Sequence, residues 1–207
     1  MEWARFLRLF FCRWLGVLKL YTALLIGIVL ATIGEAHARD VNWMVQGSME
    51  GGGDTLIRVR YDDGDTENIK GGGLFHFAGG VVFRSWPRRF PKLETQISLG
   101  CKFDSADAKN GDIRWTRYPL ELLQFHTTNK WRFGMGLSYH IAPALEGSGF
   151  ASGLNTELDN ATGFVLQVER RVTQQISIGG RALFIDYAFD GDVINGSSFG
   201  LVIGFRG

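Results

Sequence analysis

From residue 39 onward, apolar and polar side chains alternate along the chain with a period of two. The clearest stretch is 92–103, where Ile97 and Leu99 fall on one face and polar residues fall on the other. The stretch 130–142 repeats the pattern, with Phe133 on the apolar face and polar residues or glycine opposite it. A period of two fits β-strands and not helices, whose apolar positions recur every three to four residues.

Eight segments of this kind can be counted. They are 54–61, 68–83, 92–103, 112–125, 130–142, 161–172, 175–189 and 197–206. The fourth segment loses its alternation near Pro119, where we expect a bulge or an early strand end. An even number of antiparallel strands closes into a barrel with both termini at one rim. The sequence therefore predicts an all-β, antiparallel up-and-down transmembrane β-barrel of about eight strands.

The connections between these segments fall into two groups. The first group is acidic, mostly longer and rich in Gly, Asp, Asn and Ser: 62–67, 104–111, 143–160 and 190–196. The second group is mostly shorter and has basic flanks: 84–91, 126–129 and 173–174. Long extracellular loops and short periplasmic turns are typical of outer-membrane barrels. We therefore expect the acidic loops to face the outside of the cell.

The volume of the side chains, compared with the space inside an eight-stranded barrel, indicates which face of the strands points inward. A soluble, lipocalin-like barrel would also alternate, with its apolar face inside. The interior of eight strands holds only a modest set of side chains, and the apolar face is too bulky for it. The glycine-rich polar face fits that interior, so we expect the apolar face to contact lipid. Aromatic residues at both strand ends, including Trp115, Phe125, Trp131 and Tyr187, predict two interfacial girdles.

The N-terminal segment 1–38 has the features of a secretory signal peptide. Basic residues precede an uncharged apolar run, 20–33, which is followed by small residues at Ala36 and Ala38. We predict cleavage before Arg39, although an uncleaved anchor helix is the alternative. Translation from near Val17 would give the segment an ordinary length. The predicted organisation is a signal peptide at 1–38, a periplasmic lead-in at 39–53 and the barrel domain at 54–207.

Composition narrows the functional classes. The chain has two cysteines, Cys12 and Cys101, and Cys12 leaves with the signal peptide, so no internal disulfide is expected. The formal net charge is +1 and no basic block is present, which gives no support for nucleic-acid binding.

The C-terminal segment carries a family resemblance. Ser198, Gly200, Ile203 and Phe205 match the signal by which outer-membrane barrels are recognised for insertion, although two further residues follow the last aromatic. The mature chain resembles the small eight-stranded bacterial outer-membrane β-barrel proteins of the OmpA, OmpX and OmpW type, without a subfamily motif. The resemblance implies a Gram-negative outer membrane, contact with its lipids and lipopolysaccharide, insertion by the barrel-assembly machinery, and a monomer.

The predicted lumen is polar and charged. The residues expected to line it are Arg58, Arg60, Lys70, Glu94, Lys102, Arg114, Arg132, His140, Glu169 and Arg181. Unpaired charges in a narrow interior are costly, so we expect ion pairs that close the lumen. The hairpin around residue 151 places Arg132 opposite Glu169. Because basic residues are in excess, any conducted solute is expected to be anionic.

Three features could carry chemistry. Ser138 and His140 share a strand face and could form a nucleophile and base. The segment 126–129, His-Thr-Thr-Asn, resembles the His-x-Ser-Asn stretch of outer-membrane lipid A deacylases, but it also fits a β-turn. The acidic groups at 62–65 and 190–192 could bind cations or simply form solvated turns.

From these features we expect no catalytic residue, no metal and no cofactor. The sequence predicts an outer-membrane barrel with a structural, surface-interaction or narrow-pore role. The alternatives are a membrane-embedded lipid-modifying enzyme, either an acyl hydrolase or a transferase, and a channel for small solutes.

Overall fold

The structure of the protein, a computed structural model, describes residues 41–60, 66–84, 89–108 and 111–207. The strands are β1 (Val41–Gly51), β2 (Thr55–Arg60), β3 (Thr66–Lys70), β4 (Phe75–Arg84), β5 (Leu93–Ala108), β6 (Gly111–Thr127), β7 (Trp131–Gly147), β8 (Thr156–Glu157), β9 (Ala161–Arg171), β10 (Ile176–Phe184), β11 (Asp186–Phe189), β12 (Asp192–Asn195) and β13 (Ser198–Arg206). A 3-10 turn spans Gly149–Ala151.

The predicted signal peptide lies outside the described residues, and so do Ala36, Ala38 and Arg39 at its cleavage site. In the part of the chain that the structure describes, no helix is long and apolar enough to cross a membrane.

Eight of the strands form a closed antiparallel barrel. Their order around the barrel is β1, β4, β5, β6, β7, β9, β10 and β13. Closure comes from β1, which pairs with β4 on one side and with β13 on the other. Strand β8 adds a short pairing to the end of β7, while β2–β3 and β11–β12 are separate hairpins beyond the end of the barrel opposite the termini. The predicted fold class is confirmed.

The first barrel strand differs from the prediction. Residues 39–53 were expected to be a periplasmic lead-in, but β1 occupies most of that segment and pairs along its length with β13. The predicted first strand, 54–61, instead contributes to the β2–β3 hairpin. The prediction that the barrel begins at residue 54 is therefore wrong. The alternation in β1 is not evident from the sequence, because an apolar residue, Met44, points inward and a glycine, Gly47, points outward.

The two faces of the barrel have opposite polarity. Large apolar side chains face outward, and Leu99, Phe133 and Trp43 are each about half exposed. The inward positions of the same strands hold buried polar residues such as Gln96 and Ser138. A soluble barrel would reverse this arrangement, because water does not stabilise an apolar exterior. The protein is therefore a transmembrane barrel of the bacterial outer membrane.

Strand β6 departs from this pattern, because part of its inward face is apolar. It does not end near Pro119 but continues to Thr127, and Trp115 and Phe125 point inward with no exposed surface. Their predicted places in the interfacial girdles are therefore wrong, as is that of Tyr187, which is also fully buried. The irregularity expected near Pro119 occurs close by, where the β6–β7 register shifts between Thr116 and Tyr118.

Glycines on the inward face allow neighbouring strands to approach closely. A Cβ atom on Gly200 would lie 1.9 Å from the carbonyl oxygen of Met49 on β1, so this glycine permits close packing at the β13–β1 closure. A Cβ atom on Gly134 would lie 2.4 Å from the Phe125 ring. Small residues at these inward positions therefore make room for both the closure and the side chains that fill the lumen.

The two hairpins beyond the barrel form an ordered cap at the end predicted to be extracellular. Ile69 on β3 and Tyr187 on β11 belong to one buried apolar cluster with Trp115. Trp115 Nε1 donates to the carbonyl oxygen of Gly71 at 3.1 Å, and its ring meets Tyr187 edge-on. The backbones of Asp54 and Asn195 join the hairpins through a 2.8 Å hydrogen bond. The extracellular segments are therefore packed together rather than separately solvated.

Replacing Trp115 with alanine should loosen this cap. We expect Trp115→Ala to cost about 3–5 kcal/mol, since it removes a fully buried indole and leaves a cavity. Limited proteolysis of the protein in vesicles should then cut within 52–73, while the heat-dependent gel shift of the folded barrel persists. Trp131→Ala, which removes a half-exposed indole at the opposite rim, is the matched control. Equal protease resistance of both variants would show that Trp115 does not anchor the cap.

Candidate functional site

The lumen contains a carboxylate that is bonded from several directions. Glu50 at the end of β1 accepts hydrogen bonds from Lys102 Nζ at 2.7 Å and from Arg181 Nε at 3.1 Å. The hydroxyls of Ser48 and Ser198 each donate to the same carboxylate at 2.6 Å. The Glu50 side chain is buried, so these four donors replace the water that it would otherwise bind.

Arg181 on β10 extends the network across the barrel. Its guanidinium forms an ion pair with Glu121 on β6 and donates to Gln167 Oε1 on β9 at 2.9 Å. Glu121 also accepts a hydrogen bond from Ser138 Oγ on β7 at 2.9 Å. Because β10 and β6 are not neighbours in the barrel, the Arg181–Glu121 ion pair crosses the lumen.

One connected set of hydrogen bonds therefore reaches every strand of the barrel; we call it the lumen network. His76 on β4 joins it with Nδ1 3.4 Å from Ser48 Oγ. Every strand contributes at least one member, and in barrel order the members are Ser48 and Glu50, His76, Lys102, Glu121, Ser138, Gln167, Arg181 and Ser198. All of them are buried, which means that side chains fill the lumen at this level.

A second group of charges lies closer to the rim that carries the termini; we call it the rim cluster. Arg132 Nη1 donates to both carboxylate oxygens of Glu169 at 2.9 Å, and Arg132 Nε donates to Glu94 at 3.1 Å. Arg206 Nη2 also donates to Glu169, at 2.5 Å. The predicted pairing of Arg132 with Glu169 is therefore confirmed by both register and contact. Gln167 donates to Glu169 at 2.7 Å and connects the rim cluster to the lumen network.

Arg117 on β6 is a buried cation of a different kind. Its side chain has no exposed surface, and its guanidinium interacts with the Tyr187 hydroxyl rather than with a carboxylate in direct contact. The guanidinium carbon lies 5.0 Å from the centre of the Trp115 ring, a cation–π arrangement. Gly73, where β3 leads into β4, has a φ of +61°, and a Cβ atom there would also lie 2.2 Å from Arg117 Nη2, so both the backbone and the available space favour glycine.

The predicted lumen residues divide into two groups. Those that lie within the lumen or its periplasmic rim are Glu94, Lys102, Arg132, His140, Glu169 and Arg181. Three others are exposed beyond the barrel, since Arg58 and Lys70 belong to the β2–β3 hairpin and Arg114 lies near the extracellular tip of β6. Their predicted lumen positions are wrong, and the side chain of Arg60 lies outside the described residues.

Sequence reasoning missed several lumen residues, chiefly Glu50, Glu121 and Arg117. Glu50 fell in the presumed lead-in, and the other two lie beside Pro119, where the alternation could not be followed. With the two missed acids included, the lumen network and the rim cluster together contain four acidic and four basic side chains that form ion pairs among the described residues. Arg117 is a further basic residue outside these ion pairs. The strong excess of basic residues expected from the sequence is therefore largely absent.

The candidate catalytic residues form structural bonds instead. Ser138 Oγ donates to Glu121, whereas His140 Nδ1 lies 2.6 Å from the Tyr187 hydroxyl. Both side chains have no exposed surface, so a substrate could not reach them without rearrangement. In the deacylase-like segment, Thr128 Oγ1 donates to the Trp131 carbonyl at 3.1 Å and accepts from the Trp131 amide at 3.0 Å. This hydroxyl closes a β-turn.

The acidic groups and the C-terminal signal occupy ordinary structural positions. Within the described ranges, no group of His, Cys, Asp or Glu side chains is arranged to hold a metal ion. Asp190 and Gly191 form the turn of the β11–β12 hairpin with positive φ, whereas 62–65 lies outside the described residues. In the C-terminal signal, Ser198 bonds to Glu50, Gly200 lies at the barrel closure, and Ile203 faces outward. Recognition of this segment during insertion stays a prediction.

A cleft opens at the same end of the barrel as the cap. It has a volume of about 650 Å³ and lies between the ends of β6 and β7 and strand β8. Its polar lining comes from Asp112, Arg114, Ser148, Asn155 and Glu157, among others.

Two solved protein structures are similar to the chain at low sequence identity. No protein-family model matches the chain, and no curated sequence matches it. The crystal structure of Ail, the attachment invasion locus protein of Yersinia pestis, in complex with the heparin analogue sucrose octasulfate is 12% identical, covers 81% of this chain and 98% of its own, and has a TM-score of 0.45. Neisserial surface protein A (NspA) is 13% identical, with coverages of 80% and 95% and a TM-score of 0.46. By its own strand order and apolar exterior, the chain is a small eight-stranded β-barrel of the outer-membrane type.

Proposed function

We propose that the protein is a non-conducting outer-membrane barrel that acts through its extracellular surface, in a structural or surface-interaction role. The lumen network carries this proposal. A pore needs a continuous wet path, whereas here the inward side chains of all eight strands are buried against one another. The ion pairs would have to break before a solute could pass, which leaves buried charges uncompensated.

The extracellular end supports a surface role. The β2–β3 and β11–β12 hairpins extend beyond the barrel and are held by the apolar cluster under the cap. A rigid platform lowers the entropy that a binding surface loses on association. The cleft beside Arg114 and Glu157 gives this platform a concave surface of mixed charge, which suits a polar ligand.

An enzymatic role receives less support from the geometry. The hydroxyls of Ser138 and Thr128 are engaged in structural hydrogen bonds, one in the lumen network and one in a turn. Neither hydroxyl is bonded to a histidine within the described residues, as an activated nucleophile would require.

Conductance measurements test the closed lumen. In planar bilayers, the wild-type protein should show no stepwise current, because the lumen network crosses the barrel. Gln46→Ala/Gln96→Ala removes a neutral lumen hydrogen bond of 3.1 Å and keeps the charges paired, so it should stay closed and folded. The double variant Glu50→Ala/Arg181→Ala should show current steps, measured on the fraction of the protein that folds. Steps of uniform size in the wild type would contradict the proposal.

A further inference from the structure

The barrel rim at which β1 begins and β13 ends has a local surplus of positive charge. The connections 84–92, 126–131 and 170–176 contain seven Lys or Arg residues and no Asp or Glu. Five of these seven side chains are exposed in the structure: Arg84, Arg89, Lys92, Lys130 and Arg170. We call these five the basic rim. They lie at three separate connections, so the positive charge is distributed around the barrel.

The acids nearest in sequence to the basic rim do not neutralise it. Glu94 and Glu169 are the only acids within two residues of its members, and both form their ion pairs with Arg132, although Glu94 lies opposite Arg84 in the β4–β5 register. Because the whole chain has a formal net charge of only +1, the surplus is local to this rim and is offset by acids elsewhere. A local charge of this kind acts over about one Debye length, roughly 8–10 Å at physiological salt.

Aromatic residues place the basic rim at headgroup depth. Trp43, Phe90 and Trp131 lie at the same end of the barrel and are each about half exposed. Tryptophan and other aromatic rings mark the interface between the hydrocarbon core and water. The Arg89 guanidinium carbon lies 5.7 Å from the centre of the Phe90 ring, so the cation sits beside an interfacial aromatic. Lysine and arginine at this depth extend their charged ends into the headgroup layer.

We propose that the basic rim binds the phosphate groups of anionic phospholipids in the periplasmic leaflet of the outer membrane. The short connections and both termini place this rim on the periplasmic side. Phosphodiester headgroups are the anions that a membrane presents at this depth, and arginine and lysine bind them through charge-assisted hydrogen bonds. The inference concerns the exterior of the barrel and is independent of whether the lumen conducts.

Lipid retention on the folded barrel tests the proposal. The full mature protein is equilibrated in micelles with equal amounts of phosphatidylglycerol and phosphatidylcholine, and native mass spectrometry counts the lipids that stay bound. The wild type should retain phosphatidylglycerol preferentially. The ratio of bound phosphatidylglycerol to phosphatidylcholine should fall about tenfold in a variant that has glutamine at all five positions of the basic rim, Arg84, Arg89, Lys92, Lys130 and Arg170. The matched control changes Arg58 and Lys70, which are exposed on the β2–β3 hairpin, to glutamine and should retain the preference.

Two further measurements keep the test decisive. The heat-dependent gel shift reports whether each variant is folded, and raising the salt concentration should reduce the wild-type preference without any substitution. Equal retention of both lipids by the wild type, or an unchanged preference in the rim variant, overturns the proposal. Binding of the wild type to peptidoglycan sacculi without any lipid preference would also overturn it, in favour of a cell-wall partner.

Discussion

Arg181→Met should lower the free energy of unfolding by about 3–5 kcal/mol, the cost expected when one partner of a buried ion pair is removed. Methionine fills much of the same volume, so the loss comes mainly from charge. Glu50 would keep Lys102, but Glu121 would lose the cation with which it forms its ion pair in the described structure. Equilibrium unfolding in urea from lipid vesicles, followed by tryptophan fluorescence, measures the change.

Two further variants separate the charge from the shape of Arg181. Arg58→Met removes an exposed arginine from the β2–β3 hairpin and should change stability by less than about 0.5 kcal/mol. Adding Glu121→Gln to Arg181→Met should recover part of the loss, because the uncompensated carboxylate is then neutral. If Arg181→Met is as stable as the wild type, the lumen network does not stabilise the barrel.

Reversing both charges of the Arg132–Glu169 pair should not restore stability. From the sequence alone, Arg132→Glu with Glu169→Arg would be expected to rebuild the pair. In the structure, a carboxylate introduced at position 132 would face Glu94, and a guanidinium at position 169 would face Arg206. We therefore expect the double variant to lose at least about 3–5 kcal/mol, as each single reversal does.

A fourfold reversal provides the control for this prediction. Adding Glu94→Arg and Arg206→Glu places opposite charges next to each other at all four positions, so part of the stability should return. The same urea unfolding experiment compares the single, double and fourfold variants. Full recovery in the double variant would mean that Arg132 and Glu169 act as an isolated pair, contrary to their contacts with Glu94 and Arg206.

The polarity of the barrel faces could be predicted from the sequence because some strands alternate without interruption. In 92–103 and 130–142 the outward residues are apolar apart from Thr95, and the inward residues are polar or glycine, which matches most of the buried positions in β5 and β7. The Arg132–Glu169 pairing followed from the same regularity, because a hairpin with unbroken register fixes every pair.

The remaining features depended on contacts distant in sequence. Pairing of β1 with β13 joins the two ends of the chain, and nothing local distinguishes residues 54–61 from a barrel strand. The inward apolar residues of β6, including Trp115, contradict a simple polar lumen, because the cap excludes water at that end. The lumen network could not be predicted from the sequence either, because Glu50 and Glu121 lie in the two segments whose strands were assigned incorrectly.

The position of Glu50 on the first strand has a consequence for how the barrel folds. Its bonding partners Lys102, Arg181 and Ser198 lie 52, 131 and 148 residues further along the chain. A chain that ends before β10 would leave this carboxylate with only Lys102 and Ser48, and a buried carboxylate that lacks half of its hydrogen-bond donors is costly. Partly assembled barrels are therefore destabilised until the last strands arrive, and the complete fold should form cooperatively. Contacts of such long sequence separation also favour slow folding.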